Sequence, residues 1–504
     1  MVNMNKDVIS LPTSFSKKVV SFYSSGDVII PDSKADVADI LFVDCIPTVE
    51  ESMVNSGQIT ITGYAEFNII YASDSDCQEV VRISTTIPFK SSFEVPTINS
   101  NSNINVSLLP ENIDSEILNG RKISLNATIN VEISCFNAST IEYAKEITSD
   151  YNIQTLTSVK NVCTFLGSDK INTTVKDTAM LPTSLPNIDN IVKYEARINN
   201  EENVISDNKI IFKGDLCVRI YYCSENEDKL NVFDSVIPFS DFANINDITP
   251  DSKTTIKSCI NNVSLKVLPD SDELMRVIEF EVKITTNACA FNLEKLDLIN
   301  DLYCTEKILI PQINNVNYNV INPTSSEDIA FREVITIPEN ENTNLISAFG
   351  RIKNITIDNS QDKTMLKGNI EVTIIYRVLS NNSLHSICVE MPVEHLMNYN
   401  MTNITSSNIA NIDANQNEVG KFDVKINLNI SGEEIKSENI ELLTDVAESE
   451  EVPEKNSSLT IYYAKPGDTY WKIAKRFNTT LENLKELNNL NDMDKLAIGT
   501  PIII

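Results

Sequence analysis

Apolar and polar residues alternate with a period of two over three long stretches of the chain. Ile123, Leu125, Ala127, Ile129, Val131 and Ile133 form the first run, Ile278, Phe280, Val282 and Ile284 the second, and Phe422, Val424, Ile426, Leu428 and Ile430 the third. Successive strand residues point to opposite faces, so this spacing predicts strands buried on one face and wet on the other. Ahead of each run lies a strand pattern with glycine and tyrosine eight positions apart: Gly63 to Tyr71, Gly214 to Tyr222 and Gly368 to Tyr376. Pro31, Pro182 and Pro338 precede the glycines by 32, 32 and 30 residues, and Pro88, Pro238 and Pro392 follow the tyrosines by 17, 16 and 16. The chain therefore repeats one layout at a period of about 150 residues.

Polar clusters after each tyrosine, Ser73 to Asp76, Ser224 to Asp228 and Asn381 to Ser383, read as hairpin loops. The fold expected is mainly β: three tandem antiparallel sandwich or barrel-like repeats at residues 28–150, 179–311 and 334–444, behind an amino-terminal segment 1–27. The glycine in each repeated strand predicts a bulge or the close approach of another backbone, since glycine otherwise weakens a strand.

At residues 445–457 the alternation stops, and Asp445, Glu448, Glu450, Glu451 and Glu454 around Pro453 read as an acidic linker. The tail, 458–504, follows a β-α-α-β order. Leu459 to Tyr463 is a short strand, and Lys465 to Thr469 is a turn in which Asp468 or Thr469 caps a helix. Tyr470, Ile473, Ala474 and Phe477 then recur at i, i+3, i+4 and i+7, the stripe of a helix on a core. Thr479 to Glu482 reads as a capping box for a second helix with Leu484 inward, and Leu496 to Gly499 turns into a final strand ending at Ile504.

Composition narrows the function. A net charge of −30, from 41 Lys and Arg against 71 Asp and Glu, opposes binding to a phosphate backbone. No run approaches the roughly 20 apolar residues of a membrane span, and the residues from Met1 to Ser14 lack a signal pattern, so the chain is expected to stay in the cytoplasm. Ten cysteines (Cys45, Cys77, Cys135, Cys163, Cys217, Cys223, Cys259, Cys289, Cys304, Cys388) contain no C-x-x-C pair and read as reduced, buried hydrophobes. His385 and His395, the only histidines, read as surface residues, which removes most His-centred zinc and triad schemes. Glu66, Glu142 and Glu371 could be read as an acid–base set, but a solvated strand face explains them better. A binding protein is expected, not an enzyme, with no cofactor and no metal.

The tail residues Gly467, Asp468, Thr469, Ile473, Ala474, Phe477, Leu484, Asn488, Leu490, Ile498, Thr500 and Pro501 resemble the LysM module in order and spacing. That resemblance implies a groove between two loops, formed here by Gly467, Asp468, Thr469 and Tyr470 on one side and by Asn488 to Asp494, including Asn489, Leu490 and Asn491, on the other. In most relatives the groove binds N-acetylglucosamine polymers such as peptidoglycan. Trp471, the only tryptophan, sits about 100° around the helix from Tyr470, at the edge of the apolar stripe. It is either an anchor for a partner or a cover for the helix–strand seam, and both readings stand.

β repeats followed by one LysM module resemble the SipL-like SPOCS-domain proteins of clostridial spore-formers. The resemblance implies a spore coat assembly protein made in the mother-cell cytoplasm and placed at the forespore surface. It implies that the LysM module docks on the SpoIVA-like coat morphogenetic ATPase and that the repeats meet other spore coat proteins. The alternative is a cell-wall protein that binds peptidoglycan.

Overall fold

The computed structural model describes residues 2–504 except 76–77, 100–101, 225–229, 324–325, 339–341, 361–362, 452–459 and 490–495, with Asn200 described by its backbone alone. The first repeat contains β1 (Val2–Ile29), β2 (Val37–Asn55), β3 (Gln58–Ser73), β4 (Val80–Glu94), β5 (Asn103–Asn119) and β6 (Lys122–Ser149). They form two antiparallel sheets, β1-β6-β5 and β2-β3-β4. The second repeat follows the same plan with β7 (Ile153–Met180), β8 (Asn190–Ser206), β9 (Lys209–Cys223), β10 (Asn231–Asn244), β11 (Lys253–Pro269) and β12 (Met275–Cys304). Its sheets are β7-β12-β11 and β8-β9-β10.

In the third repeat the opening strand comes in two pieces, β13 (Leu309–Pro323) and β14 (Glu327–Thr336). Then come β15 (Thr343–Asp358), β16 (Met365–Val378), β17 (Leu384–Leu396), β18 (Asn403–Glu418) and β19 (Lys421–Glu448), with sheet β15-β16-β17 facing a sheet in which β19 pairs with β13, β14 and β18.

Each repeat is thus a sandwich, and the two strands that the sequence marks most clearly are its facing centres. Ile59, Ile61, Ala65, Phe67, Ile69 and Tyr71 of β3 share a core with the alternating residues of β6. Leu216, Val218, Ile220 and Tyr222 do so with Ile278, Phe280, Val282 and Ile284. Ile370, Val372, Ile374 and Tyr376 do so with Phe422, Val424, Ile426, Leu428 and Ile430. The prolines Pro88, Pro238 and Pro392 fall on β4, β10 and β17, edge strands that can spare a backbone donor.

The repeated glycine and tyrosine have separate jobs. A Cβ on Gly63 would lie 1.9 Å from the Thr48 carbonyl oxygen, and one on Gly368 would lie 2.2 Å from that of Asn354. Both face irregular pairing, between Val49 and Glu51 and between Ile352 and Asn354, so the expected bulge and close approach are present. At Gly214 the nearest atoms are side chains, Phe239 at 3.1 Å and Ile198 at 3.3 Å. The tyrosine tethers the loop ahead of its sheet: Tyr71 donates to the Ala35 carbonyl (2.8 Å) and Tyr222 to the Pro186 carbonyl (3.0 Å), each 36 residues back.

The structure assigns residues 1–27 differently from the sequence reading. Residues 2–27 form most of β1, a 28-residue strand paired with β6 from Val2 to Ile29 apart from a skip at Thr13. The stretches between the expected repeats are likewise strand, in β7 and β13, and Asp445 to Glu448 still belongs to β19; the rest of the expected linker lies mostly in 452–459, outside the described residues. Of the polar loops, Asp76 and residues 225–228 also fall outside.

These long strands run past their sandwiches and meet. Leu11, Phe136, Cys163, Phe291, Tyr318 and Leu442, one from each of β1, β6, β7, β12, β13 and β19, lie in a single buried cluster. Phe136, Phe165 and Phe291 pack there with ring centroids 5.1 to 5.7 Å apart. A second junction joins the other three sheets. In β2, β8 and β15 one residue is skipped in the pairing at the same place, Leu41, Val192 and Ile346, and all three are buried in that junction beside Ile70, Tyr221 and Ile375.

Lys193 is buried within this junction. Its ammonium lies 3.3 Å from Asp44 and 2.9 Å from Glu195, and about 5 Å from the ring centres of Phe42 (5.0 Å) and Phe349 (4.9 Å). Burial opposes its charge, but the two carboxylates outweigh it and raise the ammonium above its ordinary pKa.

The cysteines are free among the described residues; Cys45, Cys135, Cys163 and Cys304 are buried, whereas Cys259 and Cys388 are exposed, because they lie on the outward face of their strands. Cys77 lies outside the described residues. No helix among the described residues is long and apolar enough to cross a membrane.

Two expectations follow. Gly63→Ala and Gly368→Ala each lose about 1–3 kcal/mol, more than Gly214→Ala, whose neighbouring side chains can shift. Lys193→Ala loses about 3–5 kcal/mol because two carboxylates are left without their cation. Equilibrium chemical denaturation of the four variants measures both, and equal losses at the three glycines would contradict the backbone contacts.

Candidate functional site

The tail folds as β20 (Ile461–Tyr463), α1 (Tyr470–Arg476), α2 (Leu481–Asn488) and β21 (Pro501–Ile503), the expected β-α-α-β order, with β20 and β21 paired antiparallel. Ile473, Ala474, Leu484 and Ile502 are buried together with Tyr470. Thr469 caps α1, its hydroxyl accepting from the Lys472 amide at 3.2 Å. The cap of α2 is Thr480 and not Thr479, one residue later than the capping box suggested: the Thr480 hydroxyl accepts from the Asn483 amide (3.1 Å). The Thr479 amide instead closes onto the Ala474 carbonyl at the end of α1.

Most residues of the expected groove support the two loops from within. Asp468 accepts from the Lys465 amide (2.8 Å) and the Tyr462 hydroxyl (2.7 Å), and Arg476 donates in turn to that hydroxyl (2.6 Å). The amide and hydroxyl hold the Asp468 carboxyl below its usual range. Asn488 donates to the Leu484 and Ile503 carbonyls (2.8 and 2.7 Å) and accepts from the Ile503 amide (2.7 Å), which ties α2 to the last strand. Asn489 ends α2 in the left-handed conformation, with φ +49. Tyr470 is buried, Gly467 is exposed with φ +82, and Leu490 and Asn491 lie outside the described residues.

The end of β20 is laced to the turn ahead of β21, where the Gly499 amide donates to the Ala464 carbonyl (2.8 Å) and the Ala464 amide to that of Thr500 (3.0 Å). This leaves Ile498 standing 72% exposed beside the loop of Gly467. Sequence reasoning did not single out Ile498 as a contact residue, nor the exposed Ile461 and Tyr463 of β20. A three-residue strand does not reveal which face its helices cover.

Trp471 turns away from solvent, at 7% exposure, and packs edge-on against Tyr303 of β12 with ring centroids 4.9 Å apart. The seam it covers lies between the tail and the second repeat, a place that neither reading gave it. The other candidates are engaged locally. Glu66 accepts from Tyr194 (3.1 Å), Glu371 pairs with Arg351 (2.7 Å) and Glu142 is exposed on β6, so the three are not assembled into an acid–base set. His385 hydrogen-bonds Ser383 (2.7 Å) and His395 contacts Glu327 (2.9 Å), both partly buried on the rim of the third sandwich.

Residues 36–118 and 187–268 match the family described as SipL, SPOCS domain, and residues 462–504 match the LysM domain. The SPOCS matches run from the start of β2 to the end of β5 and from just before β8 to the end of β11. The third repeat has the same elements, β15 to β18. No curated protein matches the chain.

The Asp468 contacts give a pH signature. Its folded pKa lies below the ordinary 3.8, so the stabilisation is complete above that value and is lost as pH falls through the folded pKa. Asp468→Asn therefore lowers the melting temperature at neutral pH, and the gap from the parent chain narrows below about pH 4. Thermal unfolding followed by Trp471 fluorescence checks this; a gap independent of pH would refute it.

Proposed function

We propose that this chain, which carries two SipL-type SPOCS domains and a LysM domain, is a non-catalytic assembly protein of spore coat morphogenesis. In this reading it works in the mother-cell cytoplasm at the forespore surface. The LysM loops dock on a SpoIVA-like coat morphogenetic ATPase, and the SPOCS body offers its surfaces to other coat proteins. The observation that carries the reading is the presence of SPOCS and LysM domains on one chain. The exposed loops of Gly467 and Ile498 supply the contact surface, while Trp471 is engaged elsewhere. Strong negative charge fits partners that are proteins and not nucleic acid.

A second reading, in which the groove holds N-acetylglucosamine polymers of peptidoglycan, is favoured by the LysM domain itself. The two separate in one experiment. The full chain is incubated in parallel with a purified SpoIVA-like ATPase and with insoluble peptidoglycan at moderate salt, alongside Pro466→Glu and Ile498→Glu, both at exposed positions. The assembly reading expects capture by the ATPase, weakened about tenfold or more by the variants, and no retention on peptidoglycan. Retention on peptidoglycan without capture by the ATPase supports the glycan reading and overturns the first.

A further inference from the structure

The LysM domain is seated on the middle repeat by a set of contacts that its own fold does not require. Asp301, near the end of β12, uses both carboxylate oxygens: one accepts from the Trp471 indole (2.8 Å), and the other pairs with Lys475 (2.5 Å). Trp471 and Lys475 lie four apart on α1 and so share a face. Two residues along β12, Tyr303 donates to the Thr479 carbonyl (2.8 Å) and lays its ring against Trp471. Tyr303 is only 3% exposed, and its hydroxyl, pushed up to about 12 by burial and then by the charge of Asp301, stays a donor at any physiological pH. We propose that the Asp301–Tyr303 end of β12 is a docking seat for the chain's own LysM domain, latched by Trp471 and Lys475, which fixes the domain on the SPOCS body and leaves the loops at Gly467 and Ile498 exposed. The inference does not depend on what those loops bind.

Comparison of the three repeats shows that the seat is built at one place. Asn300 is skipped in the pairing of β12 with β7, and this bulge aims the next residues. The same skip occurs at Lys145 in β6 and Thr444 in β19. The residue after each skip is acidic, Glu146, Asp301 and Asp445, but two positions further on stand Thr148, Tyr303 and Ala447. The carboxylate recurs three times and the aromatic platform once. Leu302 and Cys304, which alternate with the seat residues, point into a buried cluster with Leu309 and Leu443 and hold the strand end in place.

Because the chain has a single tryptophan, its fluorescence reports on the latch directly. Tyr303→Ala and Lys475→Glu are made in the full chain; the second places a carboxylate against Asp301 and touches neither core. Both variants are expected to shift the emission to the red, to increase acrylamide quenching and to enlarge the maximum dimension seen by small-angle X-ray scattering, while the amides of α2 keep their hydrogen-exchange protection. Glu146→Ala and Asp445→Ala, at the equivalent sites, leave all four readouts unchanged. Unchanged emission or unchanged dimensions in Lys475→Glu would overturn the seat, as would the same shifts in Glu146→Ala.

Discussion

The mutual burial of three two-stranded ribbons decides most of this architecture. β1 with β6, β7 with β12 and β13 with β19 continue beyond their sandwiches, and the apolar residues they carry there pack against one another in one buried cluster. A two-stranded ribbon in water is marginal. Three of them packed together make one shared core, in which Phe136, Phe165 and Phe291 meet ring against ring. The repeats are therefore parts of one body. Hydrogen bonds and ion pairs join them in sequence, Tyr194 to Glu66, Lys257 to Glu433, and Gln78 to both Arg377 and Leu384.

Bulges aim side chains where regular pleating would not. The skipped residues Leu41, Val192 and Ile346 leave the alternation of their strands and enter the junction of the second sheets. The price of assembling that junction is a buried charge, Lys193, and its neighbours meet it with two carboxylates and two aromatic faces. At the opposite ends of the ribbons the skips at Lys145, Asn300 and Thr444 repeat the device, and one of them carries the LysM domain.

The sandwich centres and the LysM fold could be read from the residues because their signals are local. Strict alternation marks β6, β12 and β19, and the four-residue cycle of Tyr470, Ile473, Ala474 and Phe477 marks α1. The opening strands could not be read the same way. β1 is an edge strand in which six serines and three lysines interrupt the apolar residues, with one side unpaired, so its sequence lacks a sustained apolar face and resembles a polar leader. The interlocking of the ribbons is a matter of contacts between strands of different repeats, such as Phe136 with Phe291, 155 positions apart, which no periodicity reports. Trp471 shows the same limit: its position at the edge of the stripe marked a contact, but the Tyr303 it contacts lies 168 residues away. Asp468 and Asn488 stood out because the LysM pattern contains them, yet their polar atoms are spent within the domain.

The body also closes on itself. The Val2 amide donates to the Glu448 carboxylate (3.1 Å), which also pairs with Lys307 (3.1 Å), so the first and last strands of the three repeats meet. A circular permutant opened at another surface loop would present the same three faces. Tyr303, standing where the other repeats have Thr148 and Ala447, makes one corner unlike the other two and so, together with Asp301, gives the three-part body a direction toward whatever its tail holds.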